Sequence, residues 1–312
     1  MQSLRISSFS WYGGKNRPIL QNALSQTIPP GTNTFVECCA GSAALSLNKA
    51  CHNQKMVLND IDSSLINLFS VWKGTDTFVE FSKAVYAIRN EESVFSDAKR
   101  IDEAIDSFTV PNVAQAVATY TVITQSFNAA RKQFRRGINQ HTYTKRITKN
   151  LIAVHSRLQK IHLENKNLME MIETYGKCKD NTLYLDVPYI GFTRAPSARS
   201  VYRAEMSYSD HAKMLKRLIN EDIKALVIIS GYMPDENTIC SVEEDSHIYD
   251  NTLLSAGWNR YLLSVVANSS SKHKQQENEW IWVNRRLCPE QTIFFKDCLP
   301  YYMNNKGEIC HG

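Results

Sequence analysis

The chain has 312 residues, of which 43% are hydrophobic, so it can bury a full core as one large domain or as a domain with an insertion. Its net charge of only +5 excludes an overall basic field, and its eight cysteines include no Cys-x-x-Cys pair that would indicate a zinc site. No stretch approaches the roughly 18 apolar residues of a membrane span, and no apolar leader opens the chain, so we expect a soluble, cytoplasmic protein with reduced thiols.

The first predicted element is a glycine turn at Phe9–Lys15 (FSWYGGK). Two glycines followed by a lysine form a turn that suits a carboxylate or a phosphate. The alternative is an ordinary glycine turn without a ligand.

The next elements are a strand at Thr34–Glu37 and a helix at Ser42–Cys51, joined by small residues that include Ala40 and Gly41. Small residues let a ligand approach the backbone, and the helix N-terminus offers N–H groups. The segment therefore suits a nucleotide-like cofactor, although it is not G-x-G-x-x-G and a simple tight turn remains open.

A second strand is predicted at Lys55–Asn59, directly before Asp60, and a helix at Ser63–Lys73. A carboxylate about 20 residues after a small-residue turn is well placed to accept hydrogen bonds from ribose hydroxyls. The alternative role, capping the following helix, fits Asp62 or Ser63 better than Asp60.

Residues 75–176 break the alternation of strands and helices, with helices predicted at Asp97–Ser107, Val113–Phe127 and Thr148–Ile161. A segment of this length is too long for a loop, so we interpret it as a helical subdomain inserted into a catalytic domain formed by residues 1–74 and 177–284. Residues 285–312 form a C-terminal tail that carries no functional signal.

The inserted segment contains a run of basic residues without Asp or Glu. Such a block can neutralise several phosphates, although a solvated basic helix face is the alternative. The run consists of Arg131, Lys132, Arg135, Arg136, Lys145, Arg146, Lys149, Arg157 and Lys160.

The third strand, Thr182–Asp186, leads into the sequence LYLDVPY. Pro188 fixes the backbone and favours an extended Val187, so the Asp186 carboxylate and the Val187 carbonyl can point the same way. Two acceptors suit an NH₂ group, and Tyr189 offers a face on which a planar base can stack. A D-x-P turn at a strand end is the alternative.

The remaining pattern is a helix at Ser207–Asn220 and strands at Ala225–Ser230, Tyr261–Ala267 and Glu279–Asn284. The last two strands follow one another without a helix, so we expect them to form an antiparallel pair at one edge of an α/β sheet.

Taken in this order, the motifs resemble the Dam-like (D12 class) DNA adenine-N6 methyltransferases. That family reads W-x-G-G-K, V-E-P-F-x-G-G/S-G, N-D-I-N and D-P-P-Y. The corresponding segments here are Trp11–Lys15, Val36–Ala43, Asn59–Asp62 and Asp186–Tyr189, and shorter likenesses, partly to the phage-type branch, are Gln125–Gly137, Tyr202–Tyr232 and Asn278–Asn284.

The resemblance implies a Rossmann-like seven-stranded sheet, S-adenosylmethionine as cofactor and direct methyl transfer to N6 of an adenine flipped out of double-stranded DNA. We expect a monomer without an obligate protein partner and without a metal. The family positions implied for the cofactor are Trp11, Tyr12, Lys15, Glu37, Ala40, Gly41 and Asp60; those for the adenine are Asp186, Val187, Pro188 and Tyr189. Our candidates for DNA contacts are Asn128, Arg131, Lys132, Arg135 and Arg136.

The chain departs from the family pattern at several positions. Cys38 and Cys39 replace Pro-Phe, and Ala43 replaces a glycine, so we expect weakened cofactor affinity. Val187 replaces the first proline of D-P-P-Y, and Asn167 stands where we expect an adenine-side aspartate.

Three alternatives remain at the level of sequence. One is a methyltransferase-fold DNA-binding protein that has lost catalysis, and another is an amino-methyltransferase acting on cytosine N4 or on RNA. A nicotinamide-dependent oxidoreductase is disfavoured because G-x-G-x-x-G is missing.

Overall fold

A computed structural model describes residues 5–48, 54–191, 202–233, 245–267, 276–293, 295, 302–303 and 309–310. The helices in these ranges are α1 (Pro18–Thr27), α2 (Ala44–Asn48), α3 (Ser63–Lys73), α4 (Thr75–Ala87), α5 (Glu92–Glu103), α6 (Val113–Gln125), α7 (Gln140–Thr148), α8 (Leu151–Leu158), α9 (Leu168–Tyr175), α10 (Tyr208–Leu218), α11 (Ile248–Leu253) and α12 (Pro289–Thr292). The strands are β1 (Thr34–Glu37), β2 (Lys55–Asn59), β3 (Ile161–Glu164), β4 (Asn181–Leu185), β5 (Leu226–Tyr232), β6 (Asn259–Ala267), β7 (Gln276–Val283), β8 (Tyr302–Met303) and β9 (Ile309–Cys310).

Seven of the described strands form a mixed sheet in the order β3-β2-β1-β4-β5-β7-β6. The pairings β2–β3, β1–β4 and β4–β5 are parallel, whereas β7 is antiparallel to both β5 and β6. The expected antiparallel pair at one edge is therefore confirmed. None of the helices in the described ranges is both long and apolar enough to cross a bilayer.

The chain divides into two compact units, one formed by residues 1–16 and 39–167 and the other by residues 17–38 and 168–312. The first unit contains β2, β3 and the helices from α2 to α8. The second contains α1, β1, the strands from β4 onwards and the helices from α9 onwards.

An aromatic core holds the first unit together. The buried Trp72 ring of α3 meets Tyr120 of α6 edge-on at 5.4 Å and Phe81 of α4 at 5.4 Å. Its indole N–H donates to the Leu151 carbonyl at 2.9 Å. Phe9 stacks on Phe69 of α3 at 5.9 Å and so anchors the chain directly before the glycine turn.

The second unit is organised around the parallel strands β1, β4 and β5, which are almost entirely buried. Such strands are typical of a sheet covered on both faces. Helix α10 begins after Ser207, whose hydroxyl and the Asp210 carboxylate form a capping box, as expected for a helix that the sequence predicts to open at this serine.

The interval 75–176 differs in part from the predicted pattern. The helix predicted at Thr148–Ile161 is the shorter α8, the helices α4 and α7 were not predicted, and residues 161–164 form β3. β3 is short and only its first residue is buried, so its sequence carries little of the apolar alternation that identifies a strand. The domain boundaries proposed from sequence remain a prediction.

Candidate active site

The glycine turn (Trp11–Lys15) is closed by a hydrogen bond from the Gly14 N–H to the Trp11 carbonyl at 3.1 Å. A Cβ at Gly14 would lie 3.0 Å from that carbonyl oxygen, so only glycine fits without displacement. Lys15 is buried and its ammonium donates to the Gly13 carbonyl at 3.0 Å, while Tyr12 is half-buried. The turn therefore places the Lys15 ammonium group beside a tightly folded backbone.

The small-residue turn (Cys39–Ala43) packs against the glycine turn in the same unit. Gly41 has a φ of +48°, and a Cβ there would lie 2.5 Å from Nε1 of Trp11. The Ala40 N–H donates to the Asn59 carbonyl at 2.9 Å. Gly41 is therefore required both by its backbone conformation and by the indole beside it.

Ala43 adopts a left-handed backbone conformation, which favours glycine. Its φ is +57° and its side chain is fully buried. A left-handed conformation costs an L-residue about 1–2 kcal/mol, so an alanine at this position carries an energetic cost.

Asp60 follows β2 and links the small-residue turn to the start of the next helix. Its Oδ2 accepts from the Gly41 N–H at 3.0 Å and its Oδ1 from the Asp62 N–H at 2.9 Å. Burial, followed by the neighbouring Asp62 carboxylate, raises the pKa of Asp60 to about 6, although the two N–H bonds and Arg131 act in the opposite direction. Trp11, Lys15, Ala40, Gly41 and Asp60 are thus brought together within the first unit.

Glu37 belongs to the second unit, where it is the buried last residue of β1. The next N–H, that of Cys38, donates to the Tyr184 carbonyl at 2.9 Å and extends the pairing with β4.

Asp186 follows β4 and is held by hydroxyl groups. Its Oδ1 accepts from the Ser230 hydroxyl at 2.7 Å and from the Tyr189 hydroxyl at 3.2 Å. The Ser230 hydroxyl also lies 3.1 Å from that of Tyr184, and the Tyr189 hydroxyl can donate instead to Glu279 at 3.0 Å. The carboxylate is therefore fixed in orientation by Ser230 of β5 and by Tyr189, whose hydroxyl groups also lie within hydrogen-bond distance of Tyr184 of β4 and Glu279 of β7, respectively.

A concave site lies beside Tyr189. Its wall is largely aromatic, with Tyr232 edge-on to Tyr189 at 4.6 Å, and with Tyr249 and Trp282 5.0 Å apart. An aromatic cavity with a few polar groups is typical of a site for a planar organic ligand.

The basic hairpin (residues 126–137) carries the expected DNA-contacting residues. Ser126 and Phe134 form an antiparallel bridge, and positive φ values at Asn128, Ala129, Arg131 and Gly137 fold the backbone between and after them. Its exposed polar side chains include Asn128, Lys132, Arg135 and Arg136.

Arg131 is placed differently from these neighbours. Its side chain is only 11% exposed, and its guanidinium forms ion pairs with Asp62 at 3.0 Å and with Asp102 at 3.6 Å. It also lies over the Trp11 ring at 5.3 Å. Its positive charge faces the interior of the first unit, whereas those of Arg135 and Arg136 face solvent.

Sequence reasoning missed several residues of these sites. Ser230, Glu279 and Tyr232 lie in segments that the family resemblance covered but to which no role was given. Phe127, at the start of the basic hairpin, is 57% exposed, which is unusual for a large aromatic ring. An aromatic residue beside a basic cluster is the signal that could have singled it out.

The strand order, with β7 antiparallel between β5 and β6, and an Asp-x-Pro-Tyr segment after β4 define the class of Rossmann-like methyltransferases. The D12 class N6 adenine-specific DNA methyltransferase family matches residues 11–260, which are 250 of the 312 residues. The chain therefore belongs to the D12 class N6 adenine-specific DNA methyltransferase family, whose substrate is DNA. A search of curated proteins finds no match.

Proposed function

We propose that this protein transfers the methyl group of S-adenosylmethionine to N6 of an adenine that has rotated out of double-stranded DNA. The observation that carries the proposal is the Asp186 carboxylate, held by Ser230 and by Tyr189, a residue that also lines the aromatic cavity. We further propose that it acts as a monomer in the cytoplasm of a bacterial or phage-infected cell.

The residues of the first unit fit S-adenosylmethionine. Lys15 offers a cation to a carboxylate, Asp60 offers acceptors to ribose hydroxyls, and Gly14 and Gly41 let the two turns fold tightly around Trp11. Trp11 and Tyr12 of the same unit complete this part of the proposed cofactor set, and Glu37 of the second unit remains a prediction from the family resemblance. When bound, the cofactor supplies an electrophilic sulfonium methyl group whose leaving group is a neutral thioether.

The second unit would bind and orient the amino group. Asp186 and the Val187 carbonyl would accept the two N–H bonds of N6, which directs the nitrogen lone pair toward the methyl group. Asp186 would also stabilise the positive charge that develops on N6. Pro188 has no N–H, so its backbone does not compete with the amine for these two acceptors.

The aromatic cavity would receive the extrahelical base. Rotating a base out of a duplex costs a few kcal/mol, and stacking on an aromatic ring such as Tyr189 returns roughly 1–3 kcal/mol. The exposed ring of Phe127 on the basic hairpin is suited to occupy the space that the base leaves in the stack.

The cofactor set predicts a pH dependence of binding. A carboxylate accepts hydrogen bonds from ribose hydroxyls better when ionised, and the pKa of Asp60 is about 6, so affinity should rise with pH through 6 and then level off. At about pH 5, S-adenosylhomocysteine should bind about tenfold more weakly than at about pH 8. Calorimetric titration across this range measures the change.

The variant Asp60→Asn should bind S-adenosylhomocysteine weakly and with little pH dependence, because an asparagine side chain cannot ionise. The matched control is Asp97→Asn, which alters an exposed carboxylate of the same unit and should keep the wild-type profile. A wild-type affinity that is flat between these pH values would contradict the assignment of Asp60.

The DNA interface predicts a change in salt dependence. Replacing both Arg135 and Arg136 with alanine removes two exposed guanidinium groups of the basic hairpin, so binding to plasmid DNA should weaken and the slope of log K against log salt should become shallower by about 2. The control pair, Lys213→Ala with Lys216→Ala on α10, should leave the slope unchanged. An unaltered slope in the hairpin variant would remove these arginines from the interface.

The function itself is tested by incubating the protein with tritiated S-adenosylmethionine and unmethylated plasmid DNA, followed by mass spectrometry of the nucleosides. N6-methyladenine is the expected product. N4-methylcytosine, or methyl transfer only to RNA, would identify a different acceptor, and no transfer to either nucleic acid would favour a DNA-binding protein without catalysis.

A further inference from the structure

Arg131 lies at the meeting point of three elements of the first unit. Its Nη1 donates to Asp62 Oδ2 and to the Ser64 hydroxyl, each at 3.0 Å, at the start of α3. Asp102 of α5 lies 3.6 Å away, and its other oxygen accepts from Thr119 of α6 at 2.7 Å. One guanidinium therefore pairs with two carboxylates, of which that of Asp102 is buried.

Arg131 is also connected to two residues of the proposed cofactor site, Trp11 and Asp60. Its guanidinium lies over the Trp11 ring at 5.3 Å, and that ring is the group a Cβ at Gly41 would strike. Asp62, its ion-pair partner, donates its N–H to Asp60 at 2.9 Å. A displacement of Arg131 would therefore affect Trp11 through direct contact and Asp60 through Asp62.

The backbone of Arg131 belongs to the basic hairpin. Its N–H donates to the Ser126 hydroxyl at 3.1 Å, its φ is +57°, and the next residue is the exposed Lys132. The same residue thus connects the proposed cofactor site with the proposed DNA-contacting surface through a short set of direct contacts.

The arrangement is not the one that would maximise stability. Nε and Nη2 of Arg131 are buried and have no hydrogen-bond partner among the described residues. Unsatisfied buried donors and a left-handed non-glycine backbone both cost free energy. Strain of this kind concentrates at sites where geometry matters for function.

We infer that Arg131 is a positioning residue that couples cofactor binding to DNA binding, by fixing Trp11 and Asp62 on one side and the basic hairpin on the other. The inference rests on the proposed function. Such coupling changes one ligand's affinity by about 5- to 150-fold when the other is bound, and the change is reciprocal.

The test is a calorimetric titration of S-adenosylhomocysteine into the full-length protein with and without a saturating mixed-sequence DNA duplex. The wild type should bind about tenfold more tightly when DNA is present. Arg131→Lys keeps the charge that Asp62 and Asp102 require, but it loses the planar fork and the flat contact with Trp11. Its enhancement by DNA should fall to twofold or less while each ligand still binds.

Arg100→Lys is the matched control, because it changes an exposed guanidinium of the same unit and should keep the full enhancement. A melting curve of each variant separates coupling from structure: a purely structural role would lower the Tm of Arg131→Lys but leave the enhancement intact, and that result overturns the inference. A wild type in which DNA does not change the affinity for S-adenosylhomocysteine also overturns this inference, but it leaves the proposed function intact. A wild type that binds no S-adenosylhomocysteine overturns the proposed cofactor and this inference with it.

Discussion

Replacing Asp186 with alanine is expected to reduce methyl transfer to DNA by about 10²–10⁴-fold, the range found when a group that stabilises charge or moves a proton in a transition state is removed. The carboxylate is the proposed acceptor for N6, and its Oδ1 is held by Ser230 at 2.7 Å. Affinities for DNA and for S-adenosylhomocysteine should remain within a few-fold, because Asp186 would contact only the extrahelical adenine, whereas the basic hairpin would hold the rest of the DNA and the first unit the cofactor.

Single-turnover transfer of tritium to plasmid DNA measures this effect without interference from product release. Ser230→Ala keeps the carboxylate but removes one of its donors, so its rate should fall between those of the wild type and Asp186→Ala. Asp222→Asn is the control, because its carboxylate is exposed and pairs only with surface cations. Transfer by Asp186→Ala at the wild-type rate would refute the assignment of this residue.

Gly41→Ala should weaken the binding of S-adenosylhomocysteine by about 10²-fold, the scale of effect that a displacement of about 1 Å produces in a preorganised site. The new Cβ would lie 2.5 Å from Nε1 of Trp11, so the indole must move. The φ of +48° adds backbone strain of about 1–2 kcal/mol for any L-residue.

Gly257→Ala separates the effect of backbone strain from the effect of the clash with Trp11. Gly257 also has a positive φ, +83°, but a Cβ there meets nothing within 4 Å. That variant should therefore lose stability while keeping its affinity for S-adenosylhomocysteine. Calorimetry and a melting curve on both variants suffice, and equal affinities in Gly41→Ala and the wild type would show that the turn does not form the cofactor site.

Much of the fold could be predicted because its central strands have strong local signals. β1 and β2 begin and end where their sequences predict, since each is an apolar run bounded by small or polar residues. β3 was missed because only Ile161 of its four residues is buried. A strand of this kind is specified by its neighbour rather than by its own sequence.

The site was only partly predictable for a different reason. Asp186 stands in a recognisable motif, but its partner Ser230 is 44 residues away, and the Tyr189–Glu279 bond spans 90 residues. Arg131 shows the same limit, because a run of basic residues predicts an exposed surface. Its partner Asp62 lies 69 residues earlier, and no periodicity in the sequence joins the two.

The two units are formed by alternating segments of the chain, and this has a consequence for the order in which they fold during synthesis. The first unit is complete once residue 167 has been made, but β4, the partner of β1 within the second unit, is made only after residues 38–180, which separate the two strands. At about 5–20 residues per second, the ribosome needs roughly 7–30 seconds to cover that distance. We therefore expect the half that carries the proposed cofactor turns to fold on the ribosome before the half that carries Asp186, whose sheet also needs β7 at Gln276–Val283.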